Sequence, residues 1–166
     1  MKLINIYRIL SFLLLPIAML IAPMALISLL GGLANPLILL PAFILTCIVI
    51  YTWCSFRFLI IGIDQQRPLK QNLKDWLKVN AYVSIAFAAL SVIDGIAALA
   101  NPQVLDQALQ QAMEQSAMNG VDPNMLQTMM HFIVYFLLIY GVLLLVHIIL
   151  SLRLVKLYSF LFSKEK

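Results

Sequence analysis

The sequence predicts an all-α integral membrane protein whose four transmembrane helices form one bundle, with both termini on the cytoplasmic side. Three observations predict it. Hydrophobic residues make up 63% of the 166 positions and charged residues only 11%, against about half and a quarter in a soluble domain. The apolar residues come in four long runs rather than short alternating ones, which points to lipid as the solvent. All 11 Lys and Arg fall before the first run, around the loop between the second and third, or after the fourth.

The first run covers residues 9–30 and contains Pro16 and Pro23. At 22 residues it exceeds the roughly 7–15-residue core of a signal peptide. Gly32-Leu33-Ala34 resembles a cleavage site, but Pro36 follows closely, so an uncleaved anchor is expected. The second run covers 37–63, the third 79–100 and the fourth 125–152. Each passes the ~20 residues that cross a hydrocarbon core of about 30 Å. Backbone groups in lipid must satisfy one another, so each run is expected to be helical.

Orientation follows from the basic residues. Lys2 and Arg8 precede the first span. Arg57, Arg67, Lys70, Lys74 and Lys78 surround the second loop; Arg153, Lys156, Lys164 and Lys166 follow the fourth span. The other two loops carry acids only, Asp106, Glu114 and Asp122. Positive-inside bias then sets both termini in the cytoplasm, and a plasma membrane, the bacterial inner membrane in particular, is the expected location. A net charge of +4 placed in this way speaks for anionic headgroups on the cytoplasmic side rather than nucleic acid.

In the cytoplasmic loop, residues 64–78, an amphipathic stretch begins at Leu69. Leu69, Leu73, Trp76 and Leu77 share one face, with Lys70, Lys74 and Lys78 beside it at i+4 spacing. An interfacial helix leading into the third span is expected. Lys70, Lys74, Lys78, Trp76, Arg57, Arg153 and Lys156 are the expected lipid-headgroup contacts, with a docking face for a cytoplasmic partner as the alternative. The second extracytoplasmic loop, residues 101–124, also patterns as an amphipathic helix. Asn101-Pro102 opens it and Asn119-Gly120 closes it; Leu105, Ala108, Leu109, Ala112 and Ser116 fall on its apolar face.

Asp94 is the most informative single residue. It lies seven residues before Asn101, about 10 Å inside the helix end, where a charge is costly and seeks a partner. Asn80, Ser84, Ser91 and Ala98 share a narrow stripe with it, and Gly95 lies beside the stripe. Small and polar residues in that arrangement let membrane helices pack closely. His131, eight residues after Pro123, matches Asp94 in depth, so an Asp94–His131 hydrogen bond is expected, either as mutual satisfaction of two polar groups or as a titrating site. His147 is sixteen residues further, about 24 Å along the helix, so the two histidines cannot share one haem. A hydrogen bond from His147 to a neighbouring helix is expected instead.

Met113, Met118, Met125, Met129 and Met130 cluster next to His131. They read first as adaptable hydrophobes. The alternative is a Cu(I) site from Met125, Met129, Met130 and His131. The Met125-x-x-x-Met129 spacing is similar to that of membrane copper importers over those five residues alone, and four spans depart from that family. Cys47 and Cys54 stand seven residues apart on one helix, beyond disulfide reach. No Cys-x-x-Cys, His-Glu-x-x-His, phosphate-binding glycine loop or Gly-x-Ser-x-Gly is present. Ser91, His131 and Asp94 lack an oxyanion hole.

The expected function is therefore non-catalytic: an accessory or interaction subunit of a membrane complex, partnered by another membrane protein or by copies of itself, with no cofactor. The alternative is a transporter or channel protomer, proton-coupled or Cu(I)-handling, using Asp94 and His131.

Overall fold

A computed structural model describes residues 2–101, 103, 107, 110, 111 and 122–163. Four helices in it are long and apolar enough to cross a membrane. They are α1 (Lys2–Ala34), α2 (Leu39–Arg57), α3 (Gln71–Ala100) and α4 (Pro123–Leu157). Most of the amphipathic helix expected over 101–124, including Met113 and Met118, lies outside the described residues.

The helices overrun the apolar runs at their basic ends. α1 begins at Lys2 rather than near residue 9, and α4 continues to Leu157. Residues 71–78 are continuous with α3, so the expected interfacial segment is the first two turns of the third helix. A helix in lipid has no reason to stop where the apolar residues stop; its backbone stays satisfied as the side chains turn polar. Pro16 and Pro23 lie within α1 without ending it. At the other end α1 includes Gly31 and Gly32, leaving a tight connection to α2. The Asn35 side chain accepts from the Leu37 N–H at 3.2 Å, starting a single 3-10 turn at Pro36–Ile38.

α2 ends by widening into a π-helical turn over Phe58–Asp64. The Gln65 N–H reaches back five residues to the Ile60 carbonyl at 3.1 Å, and the Arg67 N–H six to Ile61 at 3.0 Å. Gln66 then takes a left-handed backbone, φ 52°. Its amide steadies the turn by donating to the Ile63 carbonyl at 2.6 Å. Such a conformation costs on the order of 1 kcal/mol.

The chain divides into two compact units. The first comprises Met1–Phe87 and Leu144–Lys166. Its interior is built from Tyr7, Leu14, Ile48, Tyr51, Phe58, Leu77, Leu144 and Ile148, all fully buried. Its basic end is closed by the tail. Leu69–Lys70 (β1) and Phe162–Ser163 (β2) form a two-residue parallel bridge, Leu69 opposite Phe162. Phe162 stacks on Phe58 at 5.6 Å, and the Lys74 Nζ sits 5.5 Å from the centre of its ring. Arg8 pairs with Asp64 at 2.5 Å.

The second unit, Ala88–Leu143, joins the end of α3 to the start of α4. Two glycines bring these segments together. A Cβ on Gly95 would stand 3.0 Å from the Leu138 Cβ, and one on Gly141 would stand 3.1 Å from the Ala88 carbonyl oxygen. Phe132, Phe136 and Tyr140 stack at i+4 spacing along α4, with ring centres 6.1 and 5.9 Å apart.

Candidate functional site

The densest polar cluster is buried in the first unit, among α1, α2 and α4. Each helix contributes a ring and, one turn later, a serine: Tyr7 and Ser11, Tyr51 and Ser55, His147 and Ser151. Residues four apart share a helix face, so each pair points at the same neighbours. All six side chains are buried.

His147 stands at the centre. Its Nε2 lies 2.9 Å from the Ser11 Oγ, and its Nδ1 lies 2.8 Å from the Tyr51 hydroxyl. Ser11 donates its proton to the Tyr7 carbonyl at 2.8 Å. That leaves the Ser11 oxygen to accept from the Nε2–H tautomer, and Nδ1 to accept from Tyr51, so both ring nitrogens are satisfied. The Tyr7 ring stacks on the imidazole with centres 4.9 Å apart. The Tyr7 hydroxyl meets the Ser55 Oγ at 2.5 Å and the Ser151 Oγ at 3.4 Å, and the two serines meet at 3.4 Å. The expected hydrogen bond from His147 to a neighbouring helix is thus present twice, once to α1 and once to α2.

This cluster, beyond the His147 bond, escapes a reading based on apolar runs, because Tyr7 falls before residue 9 and lone serines are common in membrane helices. The recurring ring-x-x-x-Ser on three helices is the signal that finds it.

Asp94 and His131 are placed otherwise. Both side chains are exposed, and no hydrogen bond or ion pair joins them among the described residues. Asn80, Ser84, Ser91 and Gly95 are buried and Ala98 half-buried. Asn80 is turned onto its own helix, donating to the Trp76 carbonyl at 2.7 Å. The Ser84 and Tyr140 hydroxyls are buried with no hydrogen-bond partner among the described residues. Met125, Met129 and His131 are exposed and Met130 half-buried on α4. Among the described residues no three His, Cys, Asp or Glu side chains gather into a metal-binding group. Cys47 and Cys54 are free and buried.

Of the expected headgroup contacts, Arg57, Lys70 and Trp76 line one cleft of about 470 Å³ at the basic end of the first unit. Lys74 is engaged with Phe162 and Lys78 is half-buried, while Arg153 and Lys156 are exposed on the last turns of α4. A second, smaller cleft of about 160 Å³ between α1 and α2 is lined by apolar residues such as Ala18, Met19 and Trp53.

No family model, no curated protein and no solved structure matches the chain.

Proposed function

We propose that the chain is a non-catalytic, multi-pass subunit of a plasma-membrane assembly. In this reading both termini are cytoplasmic, as the distribution of the basic residues suggests, and the membrane is the bacterial inner membrane. The subunit docks on another membrane protein through α3 and α4 of its second unit.

The observation that carries the reading is the exposure of Asp94 and His131 on otherwise apolar helices. A carboxylate facing hydrocarbon costs up to about 2.5–3.5 kcal/mol, the value at a helix centre, and lipid tails offer it no hydrogen bond. A neighbouring protein helix does. Around the two polar groups stand exposed Leu90, Ile93, Ile96, Phe132 and Tyr135, a surface fitted to helix packing. The polar groups of the first unit support the same reading from the other side. The six side chains of the buried Tyr–Ser–His cluster are spent on one another, and none of the six lines the clefts described above.

The test is photo-crosslinking in the host membrane, with a photoreactive residue at Ile93 or Phe132. A discrete adduct with another protein, weakened by Asp94→Asn at equal expression, is expected. Adducts with lipid alone from both positions would overturn the proposal. Loss of a proton or copper flux in Asp94→Asn with no protein adduct would favour the transporter reading.

A further inference from the structure

We propose that the cleft at the basic end of the first unit is a binding site for one anionic phospholipid. This rests on the chain spanning a bilayer, and is independent of any protein partner. Arg57, at the end of α2, and Lys70, just before α3, line the same cleft of about 470 Å³. That volume lies within the range of clefts that hold ligands, roughly 300–1,000 Å³. Arg57 is exposed and has no carboxylate partner among the described residues. Asp64, at the end of the π turn, is held in an ion pair with Arg8.

The rest of the cleft has the graded character that a phospholipid needs. Its rim also includes the first turn of α3, whose N–H groups lack intrahelical acceptors and favour an anion. Trp76, 58% exposed, stands beside it and also lines an adjoining cleft of about 240 Å³ with Asn72, Asp75 and Val79. An indole in that position suits the headgroup level of a bilayer. Cys54, Ile61 and Leu73 supply an apolar wall for the start of an acyl chain. A phosphate thus meets two cations and a helix N-terminus, and the tail meets carbon. A soluble anion would use only half of these features, which is why the occupant is a lipid.

The test is native mass spectrometry of the full chain in mild detergent, titrated with phosphatidylglycerol, phosphatidylcholine or inorganic phosphate. One retained phosphatidylglycerol is expected, bound more tightly than phosphatidylcholine and not displaced by phosphate. The Arg57→Gln, Lys70→Gln double variant should bind it about 30-fold more weakly, each basic side chain being worth roughly a factor of five near an anionic surface. Arg153→Gln with Lys156→Gln, the same loss of charge on the last turns of α4, should change the affinity less than threefold. Trp76→Leu, at an exposed position, should weaken binding while leaving thermal stability unchanged. Equal retention of the two lipids, equal losses in the two double variants, or displacement by phosphate would each overturn the proposal.

Discussion

Replacing His147 by alanine removes the centre of the buried network and allows its contribution to be worked out. The substitution breaks bonds of 2.9 and 2.8 Å to Ser11 and Tyr51. Interhelical hydrogen bonds in membrane proteins average about 0.6 kcal/mol each. It also removes the 4.9 Å stack on Tyr7, worth about 1 kcal/mol. The vacated volume, roughly 60 Å³, adds about 1.5 kcal/mol at 24 cal/mol per Å³. The whole comes to about 3–4 kcal/mol, or a melting temperature lower by roughly 10 °C. Tyr51→Phe keeps the ring and deletes one hydroxyl, so it should cost about 0.6–1 kcal/mol. The protein carries its own reporter, because Cys47 and Cys54 are both free and buried. A thiol-reactive fluorophore added during a thermal ramp in detergent will light up as the helices separate. If His147→Ala melts within 2 °C of the parent, the network does not hold these helices together and the reasoning fails.

Three further outcomes follow from the packing. Gly141→Ala should destabilise by about 1–2 kcal/mol, since its Cβ meets a backbone carbonyl at 3.1 Å that cannot swing aside, whereas Gly31→Ala, with nothing within 4 Å, should be neutral or slightly stabilising in the same melt. Phe162→Ala removes the Phe58 stack and the Lys74 contact; a loss of about 2–3 kcal/mol is expected, together with faster protease cleavage near the carboxyl terminus. Asp64→Asn breaks an ion pair whose side chains are 45% and 28% exposed, so it should cost under about 1 kcal/mol, an effect that shrinks further as salt is raised.

The parts of this molecule that lipid dictates were readable in the amino-acid order. Four apolar runs mark four helices because only helices satisfy a backbone in hydrocarbon; the first, third and fourth lie within α1, α3 and α4, and the second spans the 3-10 turn, α2 and the π turn. Their ends were not readable from apolarity, since α3 continues through Gln71 and Lys74 while its backbone bonds persist. The tail bridge between Leu69 and Phe162 was also hidden: a two-residue pairing leaves no periodicity. Small and polar residues at Asn80, Ser84, Ser91 and Gly95 marked a face, and those positions are buried. The partner of that face was less legible. Gly95 meets Leu138 and Gly141 meets Ala88 and Val92, contacts set by close backbone approach rather than by polarity. Asp94 and His131 were paired by depth alone. Depth along two helices says nothing of the angle at which each side chain leaves its axis, and both are exposed. The buried network shows the converse, since Tyr7, Tyr51 and His147 meet through i+4 geometry on three separate helices.

The mass of the protein as it leaves its own membrane tests its role as a subunit most directly. Native mass spectrometry after gentle extraction from the host should give a heteromeric assembly that contains this chain and a second membrane protein, and Asp94→Asn should shift it toward the free subunit. A closed homo-oligomer that retains a metal or a small molecule would contradict the subunit reading and make Asp94, His131 and Met125, Met129 and Met130 the residues of a transport or binding site.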